Sequence, residues 1–235
     1  MSDFQTFLES SLTTQQNSIE AYQLNIGKVW LKKASERHGL WLYTPLKWLA
    51  KIFNLGAIMP VPNRGGSIAI QCEFKRIQQL DQALARRKEN PDAQFLLFTQ
   101  AIQSIQSIHQ KGGYLSEAFA RNILVDEQNQ FSFIDFETDP RDVLSLHDCF
   151  VRDWLLFIFS TAYHFEFEQL NDASLILYKA LLAEPQVYKD IAKVGKRLSW
   201  VLNFNVSKVG NDGKRIQKCV LFLRDLKEHA EKASV

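Results

Sequence analysis

Apolar residues recur at helical spacing through most of the second half of this 235-residue chain, the signature of amphipathic helices packed on a common core. The pattern predicts helices over about 93–110, 143–165, 171–182, 185–202 and 212–232. Pro91 and the Gly112-Gly113 pair bracket the first of these, in keeping with proline at a helix start and glycine past its end. Between the first and second helices lie two short β-like pieces, Asn122–Val125 and Phe131–Phe136, joined by the turn-forming DEQNQ.

The first half is less regular. Residues 3–17 read as a short helix with a glutamine-rich end, and Tyr22–Ala34 has strand character with Gly27 as a bulge or hairpin position. Thr44-Pro45 marks the start of a helix over 44–55, in which Thr44, Lys47, Lys51 and Asn54 form a narrow polar stripe. The rest of its surface is apolar, which suits packing on a core or lying at an interface. Met59–Gly66 is irregular, since two prolines and a glycine pair break both periodicities. Ile68 to roughly Arg87 reads as a helix that ends in RRKEN.

Composition is that of a globular chain, with 46% hydrophobic and 23% charged residues, which excludes wholesale disorder. Cys72, Cys149 and Cys219 form no C-x-x-C pair, so neither a disulfide scaffold nor a cysteine-only zinc cluster is expected. The start MSDFQTFLES lacks a basic and an apolar region, and no run approaches a membrane span. These features predict a cytoplasmic protein. Charge is nearly balanced overall but uneven along the chain. Lys28, Lys32, Lys33, Arg37, Lys47, Lys51 and Arg64 face only Glu36, a local excess of +6 against +2 for the whole. Trp30, Trp41 and Trp48 fall in the same stretch. A basic, aromatic segment of this kind predicts contact with an anionic membrane surface through residues 40–55 and a peripheral place on the inner membrane. Nucleic acid is disfavoured because no recognition motif accompanies it.

The stretch with chemical content is HQKGGYLSEAFARNILVDEQNQFSFIDFETDP, residues 109–140. A metal–phosphate site needs hard oxygen ligands on one cation from separate backbone elements, with another carboxylate beside the attacking hydroxyl. Glu117, Asn122 five positions on, and Asp135 after a hairpin supply such groups in that order.

This segment resembles the catalytic half of bacterial protein-kinase-like proteins, near the lipopolysaccharide-core sugar kinases and the RIO type. Those read L-H-x-x-G-x-x-H-G-D-x-x-x-x-N-I-L and then I-D-F-E-x-D-P, which Ile134–Pro140 matches. The resemblance implies metal ligation by Asn122 and Asp135, with Glu117 at the catalytic position. It also implies that Lys32, in VWLK, pairs with phosphate, with Lys33 as the alternative. Glu73, in IAIQCEFKRI, would be the salt-bridge partner of that lysine. Asp153, in RDWLLF, would be the buried aspartate that ties the catalytic loop to the large lobe. The cofactors implied are ATP and Mg2+, and the acceptor an envelope sugar or lipid headgroup.

The chain departs from the family at three points. Glu117 stands where the family has aspartate, no G-x-G loop precedes Lys32, and the interval from Glu73 to Glu117 holds two predicted helices rather than hinge strands. The expectation is therefore an α+β, protein-kinase-like fold, with a reduced N-terminal β-lobe over 1–90 and a helical C-terminal lobe over 91–235. It is either a divergent phosphotransferase or a pseudokinase that binds and regulates without turnover. His109 is expected to sit at a helix end, facing the dipole.

Overall fold

The computed structural model describes residues 19–24, 27–32, 69–72, 77–136, 139–203 and 210–233. The predicted helices over 3–17 and 44–55, the basic segment 40–55, and Glu73 lie outside them, as do the side chains of the first three strands.

The fold is α+β and mostly helical among the described residues. Strands β1 (Ile19–Leu24) and β2 (Gly27–Lys32) form an antiparallel hairpin in which Leu24 faces Gly27 and Ile19 faces Lys32. Gly27 thus marks the hairpin position that its place in the strand-like run suggested. Strand β3 (Ala69–Cys72) pairs with the other edge of β2, with Ala69 opposite Lys32.

The segment expected to be one helix from Ile68 to Arg87 is instead β3, a second strand β4 (Gln78–Gln79) and only then helix α1 (Leu80–Arg86). Glu73 falls between these two strands, outside the described residues. Short apolar runs do not distinguish the two periods, and pairing with distant strands decides. Here Ala69–Cys72 joins β2, and Gln78–Gln79 joins β5 (Ile123–Val125). The second sheet runs β4-β5-β6, with β6 (Phe131–Phe133) antiparallel to β5.

Helix α2 (Pro91–Gln110) begins where Asn90 accepts a hydrogen bond from Ala93 N–H (3.1 Å), with Pro91 in the first turn. It ends at Gly112, whose φ of +75° is a conformation that glycine adopts at little cost. Helix α3 (Leu146–Thr161) opens with a capping box between Ser145 and Asp148. Helices α4 (Leu170–Leu181), α5 (Pro185–Leu198) and α6 (Gly210–Ala233) complete the bundle. Their cores meet at Trp154, Phe98, Phe157, Phe165 and Phe222, all less than 2% exposed. Phe98 stacks on Phe157 at 5.4 Å and meets Phe165 edge-on at 4.9 Å. At Gly195 a Cβ would lie 3.0 Å from Leu223, so α5 and α6 approach more closely than any larger residue there allows. No described helix is long and apolar enough to cross a membrane.

Candidate functional site

The loop from Tyr114 to Asn122 connects α2 to β5 and rests on α3. All ten buried positions of α3 fall within Cys149–Thr161, so the middle of this helix is enclosed on every side. It carries Arg152 and Asp153 into the interior, 3% and 0% exposed. Buried charges are stable only when paired and hydrogen-bonded, and both are.

Asp153 Oδ2 accepts from Leu115 N–H at 2.7 Å and lies 3.2 Å from His109 Nε2. Its Oδ1 is buried without a hydrogen-bond partner among the described residues. The Arg152 Nε–H donates to the Ser116 carbonyl at 2.9 Å. Two adjacent helical residues therefore hold two successive loop residues from below.

His109 sits in the last turn of α2, as expected, but its partners are buried carboxylates. It is 4% exposed, stacked on Phe150 at 4.2 Å, and its Nδ1 lies 3.3 Å from Glu184 Oε2. Both ring nitrogens thus face oxygens that only accept, and only the imidazolium has two donors. Burial alone would lower its pKa. The hydrogen bonds to Asp153 and Glu184 outweigh that, and the ring titrates above its ordinary value. Burial pushes the Asp153 carboxyl up, against the pull of His109, Leu115 N–H and Arg152. The sequence did carry a signal for this role. Phe98, Ile102, Ile105 and His109 form one helical stripe, and the other three are core residues.

The upper side of the loop carries the predicted site residues. Asn122, 6% exposed, donates from Nδ2 to the Glu117 carbonyl at 3.1 Å, and its own carbonyl accepts from Ile134 N–H at 3.0 Å. Glu117, Asn122 and the backbone entering Asp135 therefore belong to one hydrogen-bonded unit. Ala120 N–H, between them, donates to Ser160 Oγ on α3 at 2.8 Å. Ser116 and Asp135 have φ of +67° and +72°, a region that costs a non-glycine residue of order 1–3 kcal/mol. Such positions persist where the surroundings over-determine them, and here they flank the unit on both sides. A final strap closes the stretch: Tyr114 O–H donates to Asp139 Oδ1 at 2.6 Å. Burial and that bond push the tyrosine pKa up to about 12, and the bond holds the Asp139 carboxyl below its usual range.

Arg152 was not anticipated. Burial lowers its pKa, and the negative charges of Glu117 first, then Asp153, act to keep it protonated. Glu117 accordingly has an electrostatic partner beneath the loop. Its signal in the sequence was only its position next to Asp153.

Of the five predicted site residues, Glu117, Asn122 and Asp135 are brought together. Lys32 is fixed only by its backbone, between Ile19 and Ala69 in the first sheet. Among the described residues no group of three or more His, Cys, Asp and Glu side chains is placed to hold a metal ion. A cation held by Asn122 and Asp135 would need its remaining ligands from water and substrate. No model of a known protein family matches this chain, and no curated protein matches it significantly.

Proposed function

We propose that this chain is a divergent, kinase-like phosphotransferase that uses ATP and Mg2+, with an envelope sugar or lipid headgroup at the inner membrane face as acceptor. The observation that carries the reading is the hydrogen-bonded unit of Glu117, Asn122 and the Ile134–Asp135 backbone. Asp153 beneath the loop supports it, since its bond to Leu115 N–H is the tie expected of a buried aspartate in that fold.

The donor set suits magnesium in kind. Asn122 Oδ1 and the Asp135 carboxylate are hard oxygens, and Mg2+ is commonly held by one or two protein oxygens together with phosphates and water. When bound, the ion would neutralise charge on the phosphate oxygens. The chain's own share is positioning. The bond from Asn122 Nδ2 to Glu117 O orients the amide and leaves its oxygen as the ligating atom. Asp135 is held at the strand end by the left-handed turn. Glu117 would accept a hydrogen bond from the acceptor hydroxyl and align it. Lys32, with Glu73 as its partner, would meet the triphosphate from the first sheet.

Arg152 favours a second reading, a pseudokinase that binds without transferring. The Glu117 charge already serves a buried guanidinium, which gives that carboxylate a structural reason to exist. Thermal-shift titration with Mg-ATP tests the first step, because a ligand of the native state raises the melting point. Asp135→Asn should abolish the magnesium dependence of that shift. No shift at millimolar nucleotide would refute the phosphotransferase, whereas a shift without phosphate transfer would leave the pseudokinase. For the membrane surface assigned to residues 40–55, Trp48→Ala with Lys47→Glu should release the protein from anionic liposomes in flotation.

A further inference from the structure

Two cavities against the loop have Phe119 and Phe159 in common among their lining residues. The larger, about 280 Å³, is walled by Leu155, Leu156, Val194, Leu198 and Leu223 from α3, α5 and α6. The smaller, about 160 Å³, is lined by Asp81, Arg121, Ser160, His164 and Arg215. These two shared residues set an apolar trough beside a cationic end.

The charged end is built in a particular way. The Arg121 guanidinium lies over the Phe119 ring at 4.2 Å, and that of Arg215 over Tyr163 at 4.9 Å. Stacking fixes the plane of a guanidinium and leaves its in-plane N–H donors to meet a bidentate oxyanion. Among the described residues neither guanidinium has a carboxylate within ion-pair distance. Burial, with Arg215 and Lys218 nearby, lowers the His164 pKa against the pull of Asp81, so the imidazole is neutral at neutral pH. Asp81 Oδ1 accepts from Gln82 N–H at 2.7 Å, and Ser160 O–H donates to the Leu156 carbonyl at 2.8 Å. Two arginines against one aspartate leave a net charge of about +1, a match for a monoanion rather than a phosphate dianion.

The geometry points to a binding site for a long-chain carboxylate, its alkyl chain in the trough and its carboxylate between Arg121 and Arg215. A dry cavity of about 150 Å³ takes a benzene ring, so the 280 Å³ of the trough holds roughly ten chain carbons. The shared rings of Phe119 and Phe159 sit where chain gives way to headgroup. This assignment stands apart from phosphoryl transfer and survives if that reading fails.

Calorimetric titration of the full-length chain with dodecanoate, kept below its micelle concentration, tests it. One saturable site per chain is expected, with octanoate and dodecanol each bound at least tenfold more weakly. Arg121→Gln with Arg215→Gln, both at exposed positions, should weaken dodecanoate at least tenfold and leave dodecanol within about twofold. The alcohol and chain-length arms need no substitution, so a variant that unfolds does not obscure the result. Equal binding of dodecanol and dodecanoate, or indifference to the arginine changes, overturns the headgroup assignment. Absence of saturable binding overturns the site. A dimer in sedimentation that dodecanoate does not dissociate would give the trough to a second copy of the chain, and would also overturn it.

Discussion

The underside and the upper side of the loop at 115–122 obey different rules. Below, Leu115, Ser116 and Ala120 are each bonded to α3 through Asp153, Arg152 and Ser160, two of them fully buried charges. Above, Glu117 and Asp135 are half-buried, and the Asn122 side-chain amide donates to the Glu117 backbone carbonyl. The lower side is a foundation of buried, bonded charges, with Asp153 Oδ1 the one oxygen of that carboxylate left without a hydrogen-bond partner among the described residues. On the upper side Asn122 is buried, whereas Glu117 and Asp135 are half-buried, nearer the surface. Substitutions below should therefore cost stability first, and those above should cost binding or turnover with the fold intact.

The largest effect is expected at Asp153. Replacing it with Ala leaves the His109 imidazolium with Glu184 alone, weakens the negative field on Arg152 and frees Leu115 N–H, a change worth about 3–5 kcal/mol when one partner of a buried pair is lost. Urea unfolding measures it, and a loss below ~1 kcal/mol would place Asp153 among ordinary surface pairs. His109 adds a pH signature. Its pKa is raised in the folded state, so its contribution is fully present below about 6.5 and is lost as pH rises through the folded value. The stability gap between wild type and His109→Gln should be widest on the acid side of that window and should shrink above it. A gap independent of pH would mean that the ring is neutral in the native protein.

Arg152→Met comes next, at about 2 kcal/mol for a lost charge-assisted bond to a buried carbonyl. Ser160→Ala, which removes the acceptor of Ala120 N–H, should cost about 1 kcal/mol. If Ser160→Ala proves more costly than Arg152→Met, the order of the two supports is reversed, and the guanidinium serves Glu117 more than Ser116.

The same contrast explains what the sequence could reveal. Helices α2 to α6 and the β5–β6 hairpin were legible because breakers and period act locally: Pro91, Gly112-Gly113 and the turn DEQNQ. The expected helix from Ile68 held only over Leu80–Arg86; Ala69–Cys72 and Gln78–Gln79 are strands because β3 and β4 exist through partners at residues 29–32 and 124–125, a long-range choice that no local window contains. Glu117, Asn122 and Asp135 were proposed from chemistry, spacing and a family resemblance, and the backbone around them is joined by hydrogen bonds. His109 and Arg152 were missed because each gains its role from burial against a distant residue, Glu184 for the histidine and Ser116 for the arginine.

The smallest expected change in stability, and the sharpest test of the contrast, is Glu117→Gln. The amide keeps the shape of the side chain and removes only its charge. Surface substitutions of this kind usually fall within ±0.5 kcal/mol, but here the buried Arg152 guanidinium loses its leading negative neighbour. If Glu117 belongs to the upper side, urea midpoints should hardly move, Mg-ATP should still raise the melting point, and any phosphate transfer should disappear. If it belongs to the foundation, stability should fall and Arg152→Met should remove most of that penalty, since the charge that Glu117 served is gone. Comparing the double variant with both single variants isolates that coupling. A coupling of about 1 kcal/mol or more would make Glu117 a structural counter-charge and favour binding without turnover. Additive effects would return it to the acceptor hydroxyl.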